Sequence, residues 1–128
     1  GIPTEVKALD NSGVTGNYLT SEGKIGDDAW GTRAKWTILH GTMENEPVSI
    51  TILDNPKNIG YPTYWHARGY GLFAANPLGQ AIFSDGKVTL DYKLKKGDST
   101  TFKYRILIHN GTELTKEKLD STFEDFSK

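Results

Sequence analysis

The chain has 128 residues, with 15 Lys and Arg against 16 Asp and Glu, and it contains no Cys. A chain of this length can bury about two-thirds of its unfolded surface as a single domain. The lack of Cys excludes thiol catalysis, iron–sulfur clusters and disulfide scaffolds, and the near-neutral charge argues against nucleic acid as a partner. Apolar runs are far shorter than the ~20 residues that span a bilayer, so no membrane span is expected.

The first half of the chain predicts short strands. Its first 33 residues are rich in Gly and poor in apolar runs, which predicts irregular backbone with at most one edge strand. Alternating apolar residues predict strands at 34–40 and 48–54, and the turn between them favours antiparallel pairing. Two further short strands are expected at 72–75 and 80–83, separated by Asn76-Pro77.

The last third predicts a hairpin and a helix. Apolar residues alternate at 88–95 and at 101–109, and the turn between these segments predicts that they pair as an antiparallel hairpin. In the second segment, Phe102, Tyr104, Ile106 and Ile108 share one side. Thr115 can cap a short amphipathic helix whose stripe includes Leu119, Thr122, Phe123 and Phe126. The chain as a whole therefore predicts a mainly β fold, an antiparallel β-sandwich or jelly-roll-like sheet with one C-terminal helix.

The first candidate functional segment, GDDAWGTRAKW at 26–36, has two adjacent carboxylates. Asp27 and Asp28, with Arg33 close behind, could form a general acid/base pair, part of a cation site or a charge cluster. In a strand the two carboxylates would point to opposite faces, so a catalytic pair requires a loop. The alternative is a turn in which one Asp binds backbone and the other pairs with Arg33.

The second candidate segment, at 61–77, concentrates aromatic residues: five of the chain's 3 Trp, 6 Tyr and 5 Phe fall between 61 and 73. If it is extended, Tyr64, His66 and Arg68 share one face and Trp65 lies on the other. Aromatic rings stack on sugars, arginine chelates vicinal oxygens, and histidine exchanges protons near neutral pH. The alternative is a core segment in which Trp65 is buried, His66 binds a backbone carbonyl and Arg68 pairs with an Asp.

The residues therefore divide into two predicted roles. His66, Asp27 and Asp28 are the candidate catalytic residues, and the candidate ligand-binding residues are Tyr64, Trp65, Arg68, Asn76 and Arg33. The expected partner is a small-molecule or oligosaccharide ligand. No metal or other cofactor is expected, because the three His are far apart in sequence; His40 and His109 each end a predicted strand, which favours structural roles.

Three stretches resemble the C-terminal half of the bacterial PmoA-like family, which is labelled methane oxygenase: GDDAWGTRAKW, ILDNPKN and YPTYWHARGYGLFAANPLG. The resemblance covers residues 22–120. It implies that residues 1–128 form one β-sandwich domain at the C-terminal end of a longer protein, with an upstream half as a possible partner. Methane oxygenase activity is not expected, since the chain has neither the membrane span nor the His cluster of a copper oxygenase.

The resemblance also implies a protein exported by bacteria that degrade polysaccharides, hence periplasmic or secreted, although GIPTEVKALD at the N-terminus lacks a signal-peptide pattern. The segment KKGDSTTFKYRILIH is similar to terminal strands of galactose-mutarotase-like and glycosidase-associated sandwiches. The leading hypothesis is a sugar-processing domain. A noncatalytic sugar-binding or interaction module and a purely structural half-domain are the alternatives. An Asp beside His66 in one cleft would favour the enzyme.

Overall fold

The computed structural model describes residues 16–128. Within them the strands are β1 (Gly16–Thr20), β2 (Trp36–Met43), β3 (Glu46–Asp54), β4 (Tyr64–Arg68), β5 (Leu72–Asn76) and β6 (Tyr104–Asn110). The helices are a 3₁₀-helix (Gly26–Ala29), a single helical turn α1 (Gln80–Phe83) and the terminal helix α2 (Lys116–Ser127). None of the helices in this part of the chain has the length and apolar character that crossing a membrane requires.

Two antiparallel sheets face each other. β1, β2, β3 and β6 form a four-stranded sheet in the order β1-β2-β3-β6, and β4 and β5 form a second sheet of two strands. Ala67 and Phe73 of the small sheet pack against Tyr18 and Leu39 of the large one. The predicted mainly β, antiparallel, sandwich-like fold is therefore confirmed, as are the antiparallel neighbours β2 and β3.

Helix α2 covers the other face of the large sheet. Leu119 and Phe123 pack against Trp36, Ile38 and Leu53, and these five residues form a buried cluster. The indole nitrogen of Trp36 donates a hydrogen bond of 2.9 Å to Asp120 Oδ1, which fixes the helix on the sheet. The predicted cap is confirmed, because Thr115 Oγ1 accepts a hydrogen bond from the backbone N–H of Lys118 at 3.2 Å.

A buried carboxylate connects the two sheets. Asp54, at the end of β3, is 1% exposed; its Oδ1 accepts a 2.7 Å bond from Asn58 Nδ2, and its Oδ2 accepts a 2.9 Å bond from the N–H of Thr63. Asn58 also bonds both backbone groups of Lys103, each at 2.7 Å. The end of β3, the start of β4 and the approach to β6 are thus held by one short network.

The predicted hairpin of 88–95 with 101–109 is wrong. β6 begins at Tyr104 and pairs with β3, while residues 88–103 form no strand. Pairing with β3 places Leu107 against the cluster under α2, whereas Val88 and Leu94 remain 39% and 52% exposed. Burial of apolar surface therefore favours the long-range partner.

The buried face of β6 also differs from the sequence pattern. Ile106 and Ile108, on the side that the alternation marked as apolar, are 61% and 82% exposed, and Leu107 on the opposite side packs on the core. Alternation identifies a strand, but only the neighbouring elements decide which side is covered.

The strand predicted at 80–83 is also wrong, because this segment is helix α1. The N–H of Phe83 donates to the carbonyl of Gly79, and the N–H of Ser84 donates to that of Gln80, both at 3.0 Å. Four apolar-rich residues are too few for their periodicity to separate a strand from a helical turn. β1 confirms the edge strand expected in the first 33 residues; the expectation for 1–15 lies outside the described residues.

Replacing Leu119 with Ala should lower the free energy of unfolding by about 2–5 kcal/mol, because the truncation leaves a cavity between α2 and the sheet. Ser121, exposed on the same helix, is the matched control, and Ser121→Ala should change this energy by less than about 0.5 kcal/mol. Urea unfolding followed by circular dichroism measures both. Equal effects would contradict the packing of α2 on the sheet.

The pH dependence of stability should reveal Asp54. Burial raises the pKa of its carboxyl group above the ordinary value of 3.8, against the opposing effect of the bonds from Asn58 and Thr63. A group whose pKa is higher in the folded state contributes stability that is complete below its unfolded pKa and is lost as the pH rises through the folded one.

The unfolding free energy of the wild type, relative to that of Asp54→Asn, should therefore increase as the pH falls from 7 towards 4. Urea titrations of both proteins at a series of pH values measure this difference. Asn cannot ionise, so the variant lacks only the titration of Asp54. The contributions of the other carboxylates to the pH dependence are the same in both proteins and cancel in the difference. A difference that stays constant, or that shrinks on acidification, would show that Asp54 is not desolvated.

Candidate functional site

The outward face of β4 carries the predicted site residues. Tyr64, His66 and Arg68 alternate on this face, while Trp65 and Ala67 point towards the large sheet, as the extended interpretation predicts. Trp65 is fully buried, and its indole nitrogen donates a 3.0 Å hydrogen bond to the carbonyl of Ala34. The structure therefore leaves the ring of Trp65 no exposed face on which a ligand could stack.

Two aromatic residues from other elements cover the outward face. Phe83 of α1 stacks on Tyr64 with ring centres 5.5 Å apart and meets His66 edge-on at the same distance. Trp30, directly after the 3₁₀-helix, meets Phe83 edge-on at 5.2 Å and His66 at 6.4 Å. We call Trp30, His66, Arg68 and Phe83 the Trp30 cluster.

Backbone contacts fix the position of Trp30. The N–H of Gly31 donates to the carbonyl of Trp65 at 2.8 Å, and the N–H of Trp65 donates to that of Thr32 at 3.0 Å, so the segment after the 3₁₀-helix lies along β4. Gly31 has a φ of +69°, a conformation that disfavours any side chain. This turn directs the indole of Trp30 over β4.

Gly79 permits the close approach of Phe83 and Asn76. A Cβ atom at position 79 would lie 2.7 Å from Phe83 Cε2 and 2.8 Å from Asn76 Nδ2, closer than real contacts allow. Asn76 also lies opposite Tyr64 in the register of β4 and β5. The predicted ligand residue Asn76 is thus beside Tyr64 and Phe83, at the edge of the Trp30 cluster.

The two arginines of the predicted site differ in what they bind. The guanidinium of Arg33 lies 5.1 Å from the ring centre of Tyr64 and donates hydrogen bonds to the carbonyls of Pro62 (2.8 Å) and Gly60 (3.2 Å). Arg68 is exposed, and its guanidinium carbon lies 4.3 Å from the centre of the Trp30 ring. Arg33 therefore secures the loop before β4, while Arg68 presents its donors to solvent.

Several donors of the Trp30 cluster are unused. The indole nitrogen of Trp30 is buried and has no hydrogen-bond partner in the structure of residues 16–128. Within the same residues, the side chains of His66 and Arg68 make ring contacts but no hydrogen bond or ion pair. Buried polar groups are normally satisfied, so the unpartnered indole nitrogen of Trp30, beside half-buried His66 and exposed Arg68, marks the cluster as a candidate binding surface.

The candidate catalytic residues are not joined by direct contact. Asp27 and Asp28 lie exposed on the 3₁₀-helix that precedes Trp30. Within the described part of the chain, His66 contacts the rings of Trp30 and Phe83, Arg33 bonds the carbonyls of Pro62 and Gly60, and Arg68 lies over the ring of Trp30. The proposed pairing of an Asp with Arg33 is thus replaced by the bonds of Arg33 to backbone carbonyls.

The structure thus brings Tyr64, His66, Arg68, Arg33 and Asn76 together and adds Trp30 and Phe83, to which no role was assigned from the sequence. Trp30 could have been predicted as a site residue, because it directly follows the paired carboxylates in the first candidate segment. No feature of the sequence pointed to Phe83, because its segment was predicted to be a strand. Across residues 16–128, no three His, Asp or Glu side chains lie close enough together to hold a metal ion.

Trp30 should be the indole that a soluble quencher reaches. Trp36 and Trp65 are fully buried, whereas Trp30 is only partly so. Acrylamide should therefore quench part of the tryptophan fluorescence of the wild type, and Trp30→Phe should remove the quenchable part while keeping an aromatic ring in the cluster. Unchanged quenching in Trp30→Phe would contradict the placement of this residue.

Comparison with known proteins gives one match. The model of a family of unknown function, DUF6807, matches residues 3–124. No curated protein and no solved structure matches the chain. These comparisons do not test the resemblance to the PmoA-like family, which stays a prediction. Because the matched residues span nearly the whole sequence, the chain belongs to the DUF6807 family, a family of unknown function.

Proposed function

We propose that this chain is a carbohydrate-binding domain and that the Trp30 cluster is its sugar site. The observation that carries the proposal is the contact of the partly exposed ring of Trp30 with the side chains of His66 and Arg68, whose polar atoms make no hydrogen bond within residues 16–128. A sugar offers hydroxyl oxygens to such donors and C–H groups to aromatic rings. The near-neutral charge of the chain fits an uncharged ligand.

A sugar could reach the indole by displacing Arg68. The contact of an exposed arginine with a ring is worth only about 0.5–1 kcal/mol, so its loss is a small cost for a ligand that stacks there. The displaced guanidinium would remain next to the ligand and could chelate two neighbouring hydroxyl groups with its fixed fork of donors. Asn76, at the edge of the cluster, supplies an amide for a further hydroxyl group.

Binding has more support than sugar processing. A carboxylate in contact with His66 would orient the imidazole for proton transfer, and the contacts of His66 within the described residues are with the rings of Trp30 and Phe83. The purely structural alternative requires Trp65, His66 and Arg68 all to be buried and satisfied, and only Trp65 meets that condition. Sugar processing, export from the cell and an upstream half of the protein stay predictions.

Arg68→Ala should weaken sugar binding. Thermal-shift screening of mono- and oligosaccharides identifies a ligand for the wild type, and calorimetric titration then compares variants. Loss of charge-assisted hydrogen bonds should raise the Kd about tenfold or more. Arg105→Ala is the matched control, since Arg105 is also exposed and lies 4.8 Å from an aromatic ring, that of Phe126, on a different element.

The same titrations can contradict the proposal. No response of the wild type to any saccharide, or equal losses in Arg68→Ala and Arg105→Ala, would exclude the Trp30 cluster as a sugar site. His66→Ala separates binding from processing: if the wild type converts a bound saccharide and His66→Ala binds it without conversion, the domain is an enzyme and the noncatalytic proposal is wrong.

A further inference from the structure

Strand β6 leaves one edge of the large sheet open. It is the last strand in the order β1-β2-β3-β6, so its pairing with β3 uses one side of its backbone. In an antiparallel ladder, alternate residues direct their N–H and C=O groups to opposite sides, and β6 therefore presents a row of such groups on its outer side. Within residues 16–128, no other strand pairs with that side. The open edge of β6 is thus a template for a further strand.

The composition of β6 is unusual for an edge that faces solvent. Natural edge strands are protected by short length, Pro, bulges, charged side chains or covering segments. β6 has seven residues, no Pro and one permanent charge, that of Arg105, whose guanidinium carbon lies 4.8 Å from the ring centre of Phe126. The opposite edge of the sheet differs, because the chain turns back along β1 and the N–H of Thr20 donates to the carbonyl of Lys24 at 2.9 Å.

An exposed apolar surface adjoins the open edge. Ile106 and Ile108 project to one face of the sheet and are 61% and 82% exposed. They lie opposite Ile52 and Ile50 of β3, which are half-buried, so four isoleucines form one continuous patch. On the other face, Leu107 lines a groove between β6 and α2. A strand added to β6 would therefore meet apolar surface on both of its faces.

The sequence of β6 is complementary to a second copy of itself. Antiparallel pairing about a two-fold axis at Leu107 places Ile106 of each copy opposite Ile108 of the other. Leu107 then lies opposite its own counterpart. Arg105 lies opposite His109 of the second copy, so the pairing does not oppose two permanent charges of like sign, which would destabilise it. One register thus brings the exposed isoleucines of two copies together.

We propose that the chain forms a two-fold symmetric dimer through β6, in which two four-stranded sheets join into one sheet of eight strands. Ile106 and Ile108 of the two copies shield one another from water, and the two open backbone edges hydrogen-bond to each other. Such an interface closes after two copies, because each β6 is then paired on both sides. The dimer does not rest on the proposed sugar site, since no residue of the Trp30 cluster lies on β6.

Sedimentation equilibrium measures the association. The wild type should be a dimer, and Ile108→Lys should raise its dissociation constant about a hundredfold or more, because symmetry places the lost apolar contact and the new charge in the interface twice. Ile82→Lys is the matched control, since Ile82 is 78% exposed but belongs to α1, and this variant should dimerise like the wild type. Both substitutions lie at exposed positions, so circular dichroism should show that the fold is retained.

Disulfide cross-linking tests the register of the pairing. The chain has no Cys, so introduced thiols can pair only with each other. A mixture of Ile106→Cys and Ile108→Cys should cross-link on mild oxidation, because directly opposed residues have Cα atoms about 4.5–5.5 Å apart, within the range of a disulfide. Either variant alone should cross-link far less, since its thiol lies two residues away from that of its counterpart, about 7–8 Å along the diagonal.

Three results would overturn the proposal. The first is a wild type that stays monomeric at millimolar concentration, and the second is an Ile108→Lys dimer as stable as that of the wild type. The third is equal cross-linking in the mixture and in each single variant, which would show that β6 does not pair in this register. Loss of the dimer in Leu94→Lys but not in Ile108→Lys is a form of the second result, and it would assign the interface to the exposed segment 88–95.

Discussion

The buried carboxylate of Asp54 is the constraint on which the rest of the structure depends. A charge removed from water is tolerated only when hydrogen bonds replace its hydration, and here the replacements come from Asn58 and the N–H of Thr63. Asn58 in turn bonds the backbone of Lys103 on the approach to β6. This network therefore fixes where β4 begins and how β6 reaches the edge of β3, and the Trp30 cluster depends on β4.

The direction of β4 explains the Trp30 cluster. With Thr63 held by Asp54, the alternation of β4 sends Trp65 into the core and leaves His66 and Arg68 on the outside. Arg33 reinforces this arrangement through the carbonyls of Pro62 and Gly60. The arginine that secures the loop and the arginine that faces solvent thus have different roles, although the sequence offered both as candidate ligand-binding residues.

The chemistry of the Trp30 cluster follows from the elements that meet there. The Trp30 cluster lies outside the small sheet, where side chains of β4 meet a turn and a short helix, and it combines aromatic rings with an exposed cation. A ligand that stacks on aromatic rings fits such a surface.

The sequence by itself determined the elements that local forces specify. Alternation and an intervening turn were sufficient for β2 and β3, and helical spacing behind Thr115 was sufficient for α2 and its cap. It also determined which residues of β4 share a face. Only the tertiary structure decided the partner of β6 and the meeting of Trp30 with Phe83, since each depends on contacts between residues far apart in the chain. The helical turn at 80–83 was missed for a different reason, because four residues are too few to show a helical periodicity.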